Sequence, residues 1–207
     1  MTSTQIYLFI ASAILLAITP GPDVLTVLAR GIAQGHKAAA VSALGFALGC
    51  LNHTLVLVLG VSALLKASPA AFNFIKYFGA AYLAYIGIQM IRQRSTALAP
   101  AAGKNKSLPK IFVQSVLANL LNPKVALFFL AFLPQFVQPG TMPQSLQLLV
   151  LGIIFMVVTA LVFLLVAFFA GSLGNKLQQH PKLFSGLHSG VGIFLIVLGL
   201  HLAIQKL

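Results

Sequence analysis

Two charged residues of this sequence follow segments that favour the start of a helix. Asp23 is the only acidic residue among 207 and comes after Thr19-Pro20-Gly21-Pro22, whereas Lys124 comes after Asn122-Pro123. Threonine and asparagine are favoured N-caps, and proline is favoured at the first helical position, so Thr19-Pro20 and Asn122-Pro123 each predict a helix start. A carboxylate in the first turn can receive a cation, whereas a lysine there favours an anion. The two segments together predict a binding site for a small zwitterion.

The same two charges have a second interpretation, a structural ion pair that closes a helix bundle. Two further segments carry polar groups inside apolar runs. His53, which follows Asn52, could relay protons, or it could be a hydrogen-bonded packing residue. Asn119 lies one helical turn before Asn122, where it could line a cavity or satisfy backbone groups that Pro123 leaves free.

The composition indicates that these residues lie in a membrane. Hydrophobic residues make up 59% of the chain and charged residues 7%, against roughly 25% charged residues in soluble domains. The net charge of +12 could suggest nucleic acid. However, the basic residues lie between long apolar segments, so they predict contact with anionic lipid and the cytoplasm, and we expect no nucleic-acid partner. The single cysteine, Cys50, excludes an intramolecular disulfide.

Apolar segments long enough to cross the bilayer, about 20 residues each, recur six times in the chain. They predict transmembrane helices at about Thr4–Thr19 with a continuation to Ala33, Ala39–Leu65, Ala70–Ile91, Ile111–Leu133, Gln144–Ala170 and Phe184–Ile204. The segment in the middle of the chain is too polar to insert. The chain therefore divides into a first three-helix repeat over 1–94, a basic loop over 95–110 and a second three-helix repeat over 111–207.

The distribution of lysine and arginine predicts the orientation of the spans. Loops on one side carry nine of these residues: Arg30, Lys37, Arg92, Arg94, Lys104, Lys106, Lys110, Lys176 and Lys182. The other side carries Lys66, Lys76 and Lys206. Since the positive side is cytoplasmic, we expect the basic loop 92–110 in the cytoplasm and both termini on the opposite side. If the first span, which proline interrupts, fails to cross, the N-terminus stays inside.

Three spans followed by three spans place the two halves in opposite orientations, as in inverted-repeat transporters. The first span of each half contains one of the two helix starts, and interrupted segments at corresponding positions point to a transport site. A count of 1.5 Å per residue puts both interruptions near the midplane, on the order of 9 Å apart in a ~30 Å hydrocarbon core. A small zwitterion would bridge such a gap.

At these residues the chain resembles the LysE/RhtB family of amino-acid exporters. The matching segments are TPGPD at 19–23, a small-residue second helix that ends in His53, YFGAAYLAYIG at 77–87, NPK at 122–124 and FLPQF at 132–136. The resemblance covers essentially the whole chain. It implies efflux of amino acids across the bacterial inner membrane, driven by the proton gradient. It also implies six helices in an inverted repeat, although five-span arrangements have been considered for the family.

The chain departs from the family at one position of the fifth helix. Several relatives carry an acidic residue where this chain has Thr159, so Asp23 is its one carboxylate side chain. We expect the following residues to bind the substrate or couple its transport: Thr19, Pro20, Gly21, Pro22, Asp23, Asn52, His53, Asn119, Asn122, Pro123 and Lys124.

Three other classes of function compete with export. The sequence has no carboxylate pair, no cluster of cysteine and histidine and no nucleophile–base motif, so we expect no enzyme activity, no metal and no cofactor. A passive channel or facilitator for small polar solutes would share the inverted repeat. A membrane-embedded interaction subunit would not need the helix interruptions. Gly45 and Gly49, four residues apart, predict close helix packing, and small-residue faces are compatible with a homodimer.

Overall fold

The computed structural model describes residues 1–19, 21–61, 69–92, 106–138, 140, 142–170 and 181–204. Within these ranges the chain is entirely helical, with eight α-helices and no strand. Pro20 and residues 93–105 lie outside the described residues, and so does the part of the basic loop that the sequence predicts there.

The first half of the chain contains four helices: α1 (Ser3–Ile18), α2 (Pro22–Gln34), α3 (His36–Val56) and α4 (Pro69–Arg92). Thr2 begins α1 with a capping box, because its hydroxyl accepts from the Gln5 N–H while the Gln5 side chain accepts from the Thr2 N–H. Gly35 joins α2 to α3 with a φ of 82°, a conformation that residues with a side chain rarely adopt. A π-helical segment then extends α3 over Leu57–Val61.

The second half contains four more helices: α5 (Leu108–Leu120), α6 (Pro123–Leu127), α7 (Gln144–Phe168) and α8 (Pro181–Ile204). The short helix α6 continues without interruption into a π-helical segment, Phe128–Phe132, and a 3₁₀ turn, Leu133–Phe136. The helical regions of both halves coincide with the predicted spans to within a few residues.

Several of these helices are long and apolar enough to cross a membrane. α3 and α7 each meet this criterion alone. Two bent pairs can each form one further span: α1 with α2, bent by 55°, and α5 with the helix that follows it, bent by 47°. α4 and α8 occupy the predicted third and sixth spans and are each 24 residues long. The chain is an all-helical integral membrane protein, and the count of six spans stays a prediction.

One face of α7 exposes large apolar side chains along its whole length: Leu146, Ile153, Val157, Leu161, Leu165 and Phe168. Their spacing follows the helical period, so they form one continuous stripe. Soluble proteins rarely expose apolar patches of this kind. In a bilayer the stripe contacts the acyl chains of the lipid.

The interior is filled by phenylalanine rings and by close contacts between small residues. The Phe128 ring lies 5.1 Å from that of Phe155 and 6.3 Å from that of Phe9, measured between centroids, which ties α7 and α1 to the segment after α6. Where α4 crosses α8, a Cβ on Gly87 would lie 2.4 Å from the Gly192 carbonyl oxygen. A side chain at this position would force the two helices apart.

Glycines also bring α3 against α5. A Cβ on Gly45 would lie 2.7 Å from the Phe112 carbonyl oxygen, and one on Gly49 would lie 2.6 Å from Asn119 Cβ. The close helix packing predicted for Gly45 and Gly49 is therefore present. Its consequence is that the Asn119 side chain lies directly against the backbone of α3.

The packing relates the two halves in a regular way. α3 packs on α7, and α4 packs on α8. In addition, α5 packs on α3, and α1 packs on α7. These two contacts are equivalent if a twofold axis exchanges the first half of the chain with the second. Such pairing is expected of an inverted repeat, and the division into 1–94 and 111–207 stays a prediction.

Candidate substrate site

The first interruption lies between α1 and α2, and its helix start differs from the prediction. Thr19 ends α1: its hydroxyl donates backward to the Leu15 carbonyl at 2.7 Å, and its N–H bonds to the same oxygen. Gly21 is the N-cap of α2 and Pro22 its first residue. The prediction that Thr19-Pro20 begins the half-helix is therefore wrong by two residues. The Thr19 hydroxyl satisfies the preceding turn, which leaves the second proline of the segment at the favoured first position.

The second interruption, between α5 and α6, has the predicted helix start. Asn122 is the N-cap, its Oδ1 accepts from the Lys124 N–H at 3.1 Å, and Pro123 is the first helical residue. The corresponding segments of the two halves are thus Gly21-Pro22-Asp23-Val24 and Asn122-Pro123-Lys124-Val125. Each half-helix carries its charged residue at the second helical position.

Asp23 and Lys124 form a buried ion pair. Lys124 Nζ lies 3.0 Å from Asp23 Oδ2 and 3.1 Å from Oδ1, and the two residues are 5% and 3% exposed, respectively. Lys124 Nζ also donates to the Thr19 carbonyl oxygen at 3.4 Å, at the C-terminal end of α1. The structure therefore contains the contact that the ion-pair interpretation of the sequence predicts. The long lysine side chain reaches from one half-helix to the other. The gap of about 9 Å between the interruptions stays a prediction, because Pro20 lies outside the described residues.

Two further groups hold the Asp23 carboxylate. Its Oδ1 accepts from the Val24 N–H at 2.9 Å, and its Oδ2 accepts from Asn122 Nδ2 at 3.4 Å. The carboxylate thus lies at the positive, N-terminal end of α2, while the ammonium of Lys124 contacts the negative, C-terminal end of α1. A Cβ on Gly21 would lie 2.7 Å from Asp23 Oδ1 and 2.9 Å from Lys124 Nζ, so this glycine makes room for the pair.

A small cavity of about 10 Å³ lies beside the ion pair, which is room for about one water molecule. Its apolar wall consists of Leu16, Ala17, Val125, Phe155 and Phe163. Its polar wall consists of Asp23, Lys124, Asn119 and Thr159, together with the Cys50 thiol. Cys50 is fully buried, as expected for an inert thiol. Thr159 also lines this wall, although the sequence does not place it among the expected site residues. The acidic residue that the family resemblance implies at its position is the signal that points to it.

His53 has a structural partner that the sequence hints at. Its Nε2 lies 3.0 Å from the Asn119 carbonyl oxygen. In an uninterrupted helix this oxygen would accept from the N–H four residues later, but residue 123 is a proline and has none. The imidazole donates its Nε2–H to this oxygen, which has a second lone pair and also accepts from the Asn122 N–H at 2.9 Å. Its ring also packs on Phe129, 5.6 Å away between centroids.

The structure brings together most of the expected site residues. Thr19, Gly21, Asp23, Asn122 and Lys124 are in contact around the ion pair. Asn119 lines the cavity, and His53 binds its backbone from outside the cavity wall. Asn52 does not line the cavity and donates to the Gly49 carbonyl one turn earlier at 3.4 Å. In the ranges that the structure covers, no three histidine, cysteine or acidic residues come close enough to hold a metal ion.

Opposite charges buried at interrupted helices of an apolar bundle are typical of membrane transport proteins. Comparison with known families agrees with this class. Residues 14–206 match the family described as LysE type translocator, and the chain belongs to this family.

Two individual relatives match nearly the whole chain, and a third matches part of it. It is 35% identical over 213 residues to an uncharacterized membrane protein of Pseudomonas aeruginosa, with 99% of this chain and 97% of the relative covered. It is 30% identical over 203 residues to a homoserine/homoserine lactone efflux protein of Salmonella typhi, with 98% of both chains covered. A leucine efflux protein of Salmonella choleraesuis is 32% identical over 130 residues, which cover 62% of this chain and 61% of the relative. No solved structure gives a significant match.

Proposed function

We propose that this protein exports amino acids or related small zwitterions across the bacterial inner membrane and that the proton gradient drives the export. The observation that carries the proposal is the buried Asp23–Lys124 pair at the starts of two corresponding half-helices. The relatives named as homoserine and leucine efflux proteins support an amino-acid substrate. A bacterial inner-membrane location, with both termini in the periplasm, completes the proposal.

The ion pair matches the two ends of a zwitterion. The substrate ammonium replaces Lys124 at the Asp23 carboxylate, and the substrate carboxylate binds the freed Lys124 and the N-terminal end of α6. Each charge then exchanges one partner for another, so none is left unpaired in the apolar interior. This exchange matters because an unpaired charge at the bilayer centre costs about 3 kcal/mol on insertion scales.

Proton coupling is assigned to the same carboxylate. Asp23 is the only acidic side chain of the chain, and intramembrane carboxylates commonly serve proton transfer. A proton that arrives from the periplasm neutralises Asp23 and weakens its hold on the substrate ammonium. Departure of that proton toward the cytoplasm restores the negative charge that the next substrate requires.

The structure corresponds to a closed form of this site. The cavity of about 10 Å³ holds a water molecule but no amino acid. Entry of substrate therefore requires movement of the half-helices α2 and α6. The interruptions after Thr19 and before Pro123 are the places where the two spans can bend.

Export from intact cells tests this proposal. Cells that express the chain are loaded with labelled leucine or homoserine by means of dipeptides, and the amino acid outside is measured with and without an uncoupler. We expect outward accumulation against a gradient, its loss with the uncoupler, and its loss in Asp23→Asn at equal expression. Flux that the uncoupler leaves unchanged and that stops at equal concentrations would instead indicate a passive facilitator.

A further inference from the structure

Two polar atoms at the cavity lack a hydrogen-bond partner. These are Asn119 Oδ1 and Thr159 Oγ1, the only buried side-chain nitrogen or oxygen atoms without a partner among the residues that the structure describes. Asn119 is 1% exposed and Thr159 3%, and both line the cavity beside Asp23. The Cys50 thiol lies beside both side chains, but a thiol is only a weak donor and acceptor. Buried polar groups are normally satisfied, so two unsatisfied ones in one cavity indicate a missing partner.

The chemistry of this wall selects the kind of partner. Asn119 Oδ1 can only accept a hydrogen bond, and Thr159 Oγ1 can accept one. The third oxygen group at the cavity is the Asp23 carboxylate, which also accepts. Among these three groups only the Thr159 hydroxyl could donate to a carboxylate ligand, which the Asp23 charge would repel, whereas a primary ammonium carries three N–H donors and a positive charge. Lys124 also lines the cavity, but its Nζ is paired with Asp23.

We propose that Asp23, Asn119 and Thr159 form a three-oxygen subsite for the primary ammonium group of the substrate. The proposal rests on the proposed export function, since it assigns one end of the exported zwitterion. Thr159 is therefore an additional binding residue, and Asn119, which the sequence already places in the site, binds the same ammonium group. A neutral hydroxyl at residue 159 lets Asp23 remain the single negative charge that the ammonium neutralises.

The three oxygens come from three different helical elements. Asp23 lies in α2, Asn119 in α5 and Thr159 in α7. Gly49 of α3 makes room for the Asn119 side chain, because a Cβ at residue 49 would lie within 3 Å of its atoms. The subsite joins these three elements, so a bound ammonium group links them and stabilises the folded bundle.

Small ammonium ions test the subsite on the purified full-length protein in detergent. The midpoint of thermal unfolding is measured against methylammonium chloride and tetramethylammonium chloride at constant ionic strength. We expect methylammonium to raise the midpoint and tetramethylammonium, which has no N–H donor, to leave it unchanged. Equal effects of the two ions, or no effect of methylammonium, would overturn the proposal.

A pair of buried threonines supplies matched variants. Thr159→Val removes the unpartnered hydroxyl, and we expect it to raise the half-saturating methylammonium concentration about tenfold or more. Thr54→Val removes an equally buried hydroxyl that donates to the Cys50 carbonyl within α3 and does not line the cavity, so its response should equal that of the unchanged protein. Thr159→Ser, which keeps the hydroxyl, should also bind normally. A normal response of Thr159→Val would show that the cavity only holds a water molecule.

The export assay separates this inference from the proposed function. If the chain exports leucine but Thr159→Val exports it with unchanged half-saturation, the function holds and the subsite assignment is wrong. If the chain exports no amino acid, the function is wrong, and the methylammonium measurement still decides whether the subsite exists.

Discussion

The two half-helix starts share a pattern but satisfy their backbone in different ways. Each begins with proline, then a charged residue, then valine. At the start of α2, the N-cap Gly21 offers no side chain, and the Asp23 carboxylate itself accepts from the Val24 N–H. At the start of α6, Asn122 caps the helix, so the Lys124 side chain is free to reach across to the other half.

In the first half, one residue both carries the charge and binds a free N–H of the helix start. In the second half, two residues divide these roles. Asp23 both supplies the negative charge and accepts from the Val24 N–H in the first turn of its helix. In the second half, Asn122 caps and Lys124 carries the charge. Changes at Asp23 should therefore have larger consequences than changes at Lys124, and changes at Asn122 should mainly affect stability.

The largest effect is expected from Asp23→Asn. The amide keeps the shape of the side chain and an oxygen for the Val24 N–H, but it removes the titratable charge and leaves Lys124 unpaired. Breaking a buried pair in this way costs about 3–5 kcal/mol. We expect gradient-driven export to fall to background while the protein is still found in the membrane, as measured by labelled-leucine efflux and immunoblot.

The double variant Asp23→Asn/Lys124→Gln distinguishes a binding site from a structural ion pair. If the pair is only structural, removing both charges restores what the single change destroys, because no charge is left unpaired. Normal export by the double variant would thus contradict our assignment. Stable insertion without export would support it.

A second, smaller effect is expected from Lys124→Gln. This change removes the partner proposed for the substrate carboxylate but leaves the proton-binding group in place. A lost charge-assisted hydrogen bond corresponds to a rise of about tenfold or more in half-saturating substrate concentration. Lys110→Gln, at an exposed lysine in the first turn of α5, is the control. Complete loss of uncoupler-sensitive export at saturating substrate would show that Lys124 belongs to the coupling step.

Much of this arrangement could be predicted from local sequence, because helix starts depend on neighbouring residues. Asn122-Pro123 contains one cap and one proline, so only one start fits. The segment from Thr19 to Pro22 contains two prolines, and the choice between them depends on the backward hydrogen bond of Thr19, which the sequence does not reveal.

Other features depend on the packing of distant segments. The sequence leaves open whether Asp23 and Lys124 touch or face each other across a gap, and the observed contact depends on how the two bent spans pack. The Asn119–Thr159 wall joins α5 to α7, and the packing that places Asn119 depends on Gly49 of α3. The partner of His53 depends on the packing of α3 beside α5, which brings the imidazole to the Asn119 carbonyl.

A third effect is expected from adding a side chain to Gly21, the N-cap of α2. In Gly21→Ala, the added Cβ would lie 2.7 Å from Asp23 Oδ1 and 2.9 Å from Lys124 Nζ, so the pair must shift. Such overpacking costs about 1–3 kcal/mol, and we expect export to fall severalfold with a lowered unfolding midpoint. Gly60→Ala is the control, since a Cβ there meets no atom within 4 Å. Equal behaviour of the two variants would show that the pair tolerates displacement.

The smallest effect concerns Asn122, whose two contacts can be separated. Its Oδ1 caps α6, whereas its Nδ2 makes a long contact of 3.4 Å to Asp23 Oδ2. Asn122→Ser keeps a capping oxygen and loses the contact, whereas Asn122→Ala loses both. Loss of an N-cap costs about 1 kcal/mol, whereas a contact of 3.4 Å is weak. We therefore expect the alanine variant to be about 1 kcal/mol less stable than the serine variant. Export by the serine variant should stay within a few-fold of normal.

Thr2→Ala is the control for the Asn122 variants, because Thr2 caps α1 at its first turn and not at an interruption. We expect this variant to lose about as much stability as Asn122→Ala and to export normally. If Asn122→Ser instead destabilises the protein as much as Asn122→Ala, the amide contact with Asp23 outweighs the cap. The second half-helix start would then combine both roles in one residue, as the first one does, and the contrast between the two halves would disappear.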